Sequence, residues 1–159
     1  MDNKQLIGEL NKILTLEHGH LGMYQNYATY QHKELRRTFR RFMEIEMEHI
    51  DKIQDIIKNI GTKPSILVEG DIFGKMFGIS LKATGDRNVI KVYDIIEQKS
   101  HQGYSDFISS LERENREMYQ FIAEIAASIK LEAYLQHLWL ADYMKRAYPE
   151  KENGQPAGS

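Results

Sequence analysis

Apolar residues return every three or four positions along four long stretches of this chain, and that period dictates helices. The first stretch runs from a cap at Asp2 or Asn3 to about Gln31, with the stripe Leu6, Leu10, Ile13, Glu17, His20/Leu21, Tyr24, Tyr27/Ala28. The second covers about Lys33 to Ile60, with Phe39, Phe42, Glu46, His49, Ile53, Ile57 and Ile60 in line. Gly61 and Pro64 supply its stop. A third runs from about Asn88 to Leu111 through Ile90, Tyr93, Glu97, His101, Tyr104 and Ile108, and a fourth from about Asn115 to Ala147, ahead of Pro149. No segment shows strand-like alternation of any length.

Between the second and third helices, residues 62–86 hold Gly70, Gly74, Gly78 and Gly85. They read as a crossover with a short, loose helix in "DIFGKMFGISLKA". Four long helices with one long mid-chain connection predict an all-α fold, a ferritin-like four-helix bundle spanning residues 1–148. Residues 149–159 read as a flexible polar tail.

Each of the first three helices breaks its apolar stripe with a glutamate: Glu17, Glu46 and Glu97, with His49 one turn past Glu46. Several carboxylates brought to one dry place repel one another when ionised, and desolvation adds to the cost. Cations among them remove that cost, and divalent metals with carboxylate and imidazole ligands meet the need. A Glu-x-x-His pair puts both donors on one helical face, the arrangement of dinuclear bundle sites. The competing reading is a polar core network with every lone pair satisfied without metal. The two halves also echo one another: "LEHGHLGMY" and "IEQKSHQGY" each place a tyrosine, Tyr24 or Tyr104, seven residues after the glutamate.

The fourth helix departs from the pattern. Its "YLQH" puts Tyr134 where a glutamate is expected before His137. Glu132 is about 140° around the helix from His137. The sixth ligand is therefore missing, supplied by water, or replaced by Tyr134 or Glu132. His20 and His101, one turn beyond Glu17 and Glu97, are either additional ligands, partners that orient carboxylates, or partly exposed helix histidines. Tyr24, Tyr27 and Tyr104 read first as packing residues with a hydroxyl handle.

The bulk numbers narrow the function classes. The chain has 159 residues, 42% of them apolar, enough for one domain with a sizeable core. A formal net charge of −2 argues against a nucleic-acid partner. The absence of cysteine removes disulfides and thiolate chemistry and fits a reducing compartment. With no signal-like start and no long apolar run, a cytoplasmic location is expected.

These motifs resemble the demethoxyubiquinone hydroxylases, ferritin-like di-iron monooxygenases of quinone biosynthesis. Glu17-His-Gly19 through Met23-Tyr24 is similar to that family's first-helix pattern Glu-x-Gly-x-x-x-Ile-Tyr. Glu46-Met-Glu-His49 resembles its Glu-x-x-His, and "KPSILVEGDIFGKMFGISLKATGDRNVIKVYDIIE" its crossover and third-helix glutamate. Coverage is about residues 15–142. The resemblance implies two iron ions, with manganese as the alternative metal, held by Glu17, Glu46, His49, Glu97 and His137. It also implies O2, a quinone-like or small aromatic substrate, and an external reductant. Two other readings stay open: rubrerythrin-like peroxide or oxygen scavenging, and a non-catalytic ferritin-like protein with a degenerate second site. A homodimer is compatible with either. The single lysine and flanking acids of "EGDIFGKMFGISL" argue against attraction to an anionic membrane.

Overall fold

The computed structural model describes residues 1–64, 68–114 and 116–149; the side chains of 68–71 lie outside that description. Among the described residues there are five α-helices: α1 (Asn3–Tyr24), α2 (Lys33–Asn59), α3 (Val68–Lys82), α4 (Asp86–Glu112) and α5 (Glu117–Ala147). Among the described residues there is no strand. The architecture is an all-α bundle of ferritin type. Expected tail residues 150–159 fall outside the described residues.

Local chemistry sets the helix ends. Asp2 caps α1 in a reciprocal box: Gln5 N–H donates to Asp2 Oδ1 (2.7 Å) and Asp2 N–H donates to Gln5 Oε1 (2.9 Å). α1 stops at Tyr24 rather than running to Gln31, and a single 3-10 turn, Tyr27–Thr29, follows. The early stop lets Tyr30 swing into the core, where it is 1% exposed. Arg36 fastens this corner by donating to the carbonyls of Tyr30 (2.7 Å) and Gln31 (2.6 Å). α2 ends in a Schellman motif: Gly61 (φ +89°) donates to Lys58 O and Thr62 to Ile57 O.

α1 packs on both α2 and α3, α4 lies along α5, and α3 and α2 complete the assembly through α4 and α5. The crossover is thus no loose segment. α3 is a 15-residue helix seated tightly on α1. Gly74 and Gly78 are one turn apart, and a Cβ built at Gly74 would lie 2.0 Å from Gly19 O. At Gly78 it would lie 3.0 Å from both Met23 O and Tyr93 Oη. Small residues four apart let two helix backbones approach closely. The glycine face turns inward, and Ile72, Phe73, Met76, Phe77 and Ile79 are exposed. No described helix is long and apolar enough to cross a membrane.

The apolar core is split. One cluster gathers Leu6, Leu10, Leu14, Ile53, Ile57, Phe107, Leu111, Tyr119 and Ile129 with their neighbours. The other is aromatic, built on Tyr24, Tyr30, Phe39, Phe42, Val89, Ile90, Tyr93 and Leu140. Tyr24 is at its centre, with ring centroids 5.2–5.4 Å from Phe39, Phe42 and Tyr93. Among the described residues the buried polar ones are Glu17, His20, Glu46, His49, Glu97 and Gln136. Their positions along α1, α2, α4 and α5 fall between the residues of the two clusters.

Candidate metal centre

The four stripe-breaking residues meet. Glu17, Glu46, His49 and Glu97 are each 1% exposed, although α1, α2 and α4 deliver them separately. Donor atoms of Glu17, Glu46 and His49 all lie within 4.8 Å of one another, and so do those of His20, Glu46 and Glu97. Glu46 belongs to both triads.

Each carboxylate is anchored through one oxygen. Tyr104 Oη donates to Glu17 Oε1 (2.7 Å), Tyr24 Oη to Glu97 Oε1 (2.5 Å) and Gln136 Nε2 to Glu46 Oε1 (2.8 Å). Hydrogen bonds of this kind orient ligand carboxylates in metal sites. The second oxygen of Glu17 accepts from His49 Nδ1 (3.0 Å). The second oxygen of Glu46 is buried with no hydrogen-bond partner, 3.5 Å from His49 Nδ1 and 3.8 Å from His20 Nδ1. Gln136 Oε1 is likewise unpartnered. Buried orphan acceptors are costly, and a cation placed among these donors would satisfy Glu46 Oε2 directly. The donor set, carboxylate oxygens with imidazole nitrogens, suits divalent iron or manganese.

The charges are out of balance without such a cation. Among the described residues no lysine or arginine pairs with Glu17, Glu46 or Glu97. Burial and the charge on Glu46 push Glu97 up to about 8. Burial and the charge on Glu17 also raise Glu46. For Glu17 burial alone would raise the pKa, but the hydrogen bond and charge of His49 outweigh it and hold it at about 2. Burial opposes protonation of His49, yet its carboxylate partners prevail and push it up to about 11. Protons on His49 and Glu97 therefore stand in for the missing positive charge at neutral pH.

α5 enters the site one residue out of register with the sequence expectation. Its buried face reads Ile129, Ala133, Gln136, Leu140, Tyr143. The inward positions at Glu-x-x-His spacing are thus Ala133 and Gln136, not Tyr134 and His137. His137, about 100° around the helix from Gln136, pairs through Nδ1 with Asp94 and Gln98 outside the cluster. The structure does not bring it to the centre. Tyr134 is exposed, its ring between those of His101 (5.2 Å) and His137 (6.0 Å), so neither Tyr134 nor His101 enters. Glu132 reaches the cluster's edge, accepting from His49 Nε2 (2.8 Å) with Lys52 3.3 Å away. That leaves His49 Nδ1 aimed at the carboxylates. Gln136 was missed because α5 carries apolar residues on every face, which hides its period.

A groove of about 880 Å³ leads from the surface between α1 and α4 to this centre. Ile13, Leu16, Ile96 and Phe107 line it, Gly103 leaves room in it, and Glu17, His20 and Tyr104 line it where it meets the cluster.

A family model described as Ubiquinone biosynthesis protein COQ7 matches residues 12–146. The chain belongs to this family. The COQ7 family comprises the demethoxyubiquinone hydroxylases, ferritin-like di-iron proteins of ubiquinone biosynthesis, and the buried carboxylate and histidine groups fit such a centre. No curated protein and no solved structure matches the chain.

Proposed function

We propose that this COQ7-family chain is a dinuclear iron hydroxylase that uses O2 on a quinone-like or small aromatic substrate. The observation that carries the reading is Glu46 Oε2, a buried, partnerless acceptor common to two donor triads. Glu17, Glu46 and His49 would hold one ion, and Glu46 and Glu97 would contribute to the second. The bound metal pair supplies O2 reduction: one oxygen atom enters the substrate and the other leaves as water, with two electrons from an external reductant.

The chain's own residues do the rest. Tyr24, Tyr104 and Gln136 fix the carboxylates from outside, so the inward oxygens need no rearrangement to receive cations. Burial raises Tyr24 and Tyr104 well above the usual phenol range, which keeps both hydroxyls protonated as donors. The two apolar clusters exclude water on either side. The groove admits a substrate from the side of Glu17 and Tyr104. Its volume favours an organic substrate over peroxide or oxygen scavenging, which needs room only for a molecule of two heavy atoms.

The test is anaerobic Fe(II) loading followed by O2 with a soluble quinol analogue. Two irons per chain and one ¹⁸O atom from labelled O2 in the product are expected. A protein that binds iron but oxidises it identically with and without any quinol would refute the hydroxylase reading. One observation favours a non-catalytic protein: α5 aims neither acid nor imidazole at the centre. The same assay separates that reading by its lack of product.

A further inference from the structure

The usual dinuclear bundle draws its two Glu-x-x-His pairs from two different helices and one glutamate from each of the others. Here α2 supplies one pair, Glu46 and His49, while the inward face of α5 holds Ala133 and Gln136. The second pair is on α1. Glu17 and His20 stand at the same i, i+3 spacing, and both are buried, His20 at 9%.

We propose that His20 is the second histidine ligand of the centre, so that α1 and α2 each contribute a Glu-x-x-His and α5 contributes positioning partners, the Gln136 amide behind Glu46 and the Glu132 carboxylate behind His49. The inference rests on the dinuclear reading above. Three observations carry it. His20, Glu46 and Glu97 present donor atoms mutually within 4.8 Å. His20 Nδ1 is 3.8 Å from Glu46 Oε2, too long for a hydrogen bond. Two donors each about 2.1 Å from one cation stand roughly 3–4 Å apart, which that gap matches. Finally, Glu46 Oε2 faces the Nδ1 atoms of both His20 and His49 and has no other partner. It would bridge two ions, one on each imidazole.

The arrangement is lopsided in a useful way. His49 is locked from behind by Glu132, whereas His20 lines the groove. An ion held by His20, Glu46 and Glu97 would therefore have its imidazole on the groove side.

The test titrates metal-free protein with Mn(II), reading stoichiometry by calorimetry and by elemental analysis after desalting, and imidazole ligation by pulsed EPR. Wild type is expected to bind two ions. His20→Ala should bind one, or bind the second at least tenfold more weakly, with loss of one histidine nitrogen coupling. His20→Gln, closer in size, repeats the measurement should the alanine variant fold poorly. His137→Ala should keep both ions. Gln136→His in the His20→Ala background should restore the second by returning an imidazole to α5. A wild type with two ions and a His20→Ala or His20→Gln protein with the same two at unchanged affinity would overturn the assignment while leaving the dinuclear centre intact. A wild type that binds fewer than two ions would overturn the dinuclear reading itself and this assignment with it.

Discussion

Replacing Gly74 by alanine tests whether α3 is a structural helix or a lax connection. An alanine Cβ there would stand 2.0 Å from Gly19 O, 2.8 Å from Gly19 C and 3.0 Å from Gly19 Cα. Cβ contacts below 3.0 Å essentially do not occur, so the two helices must part by about 1 Å. The obstructing atoms are backbone in the middle of α1, which cannot rotate aside. Overpacking of this kind costs about 1–3 kcal/mol, and the rigid neighbour puts Gly74→Ala at the upper end. Alanine recovers about 1 kcal/mol of helix propensity. The net loss is about 2 kcal/mol, or about 4–8 °C in Tm for a chain of this size. Gly103→Ala is the control. Its Cβ meets nothing within 4 Å, so propensity alone acts and stability should rise by about 0.5–1 kcal/mol. Thermal and urea unfolding of the metal-free proteins measure both. Because Gly19 sits between Glu17 and His20, Gly74→Ala should also weaken metal binding. A Gly74→Ala protein as stable as wild type, with Gly103→Ala gaining its increment, would refute the close-packed reading of α3.

Other expectations follow from the site. The metal-free protein should lose stability as pH rises from about 6.5 to 8. Over that range Glu97, raised from 4.5 to about 8, pays an increasing cost for staying protonated, and His49, raised from 6.5 to about 11, begins to lose its advantage. Thermal melts in chelator across that range should show Tm falling, and a flat or rising Tm contradicts the charge balance described. Metal binding displaces those same protons, so Mn(II) affinity should rise with pH over the same interval, measured by calorimetry in buffers of different ionisation enthalpy. Gly103→Phe should fill the groove, abolishing turnover of a quinol analogue while both ions and the fold, read by elemental analysis and circular dichroism, persist. Tyr104→Phe removes the donor to Glu17 Oε1 and should weaken metal binding about 10- to 100-fold with little change in helicity.

Much of the fold was legible because burying an acid contradicts a helical stripe so sharply. Glu17, Glu46, His49 and Glu97 stand out by that conflict, and the structure brings all four together. The crossover was harder to read. Glycine is a poor helix former, so Gly74 and Gly78 suggested looseness, yet their four-residue spacing marks a face made for another backbone. α5 hid its register because Phe121, Leu131, Leu135 and Leu138 are exposed apolar residues that blur the stripe. The buried face of α5 carries Gln136, one position before His137. α1 is shorter than its periodicity suggests: the sequence carries no stop signal before Gln31, and the burial of Tyr30 beyond the 3-10 turn is a tertiary feature that periodicity does not show. The spacing Glu17-x-x-His20 is visible in the sequence, which leaves His20 open as an additional ligand, an orienting partner or a partly exposed histidine; its burial at 9% comes only from the fold.

The division of the core into two blocks bears on how the protein matures. Large side chains on each side, Leu6 through Ile129 in one and Tyr24 through Leu140 in the other, pack the helices together above and below the polar cluster. Unlike a small zinc module, whose folding energy comes from its metal, this chain buries a large apolar block of its own on each side of the waist. On the dinuclear reading, a cation entering by the cleft beside Gly103 would then change how much of the population is loaded more than how much is folded.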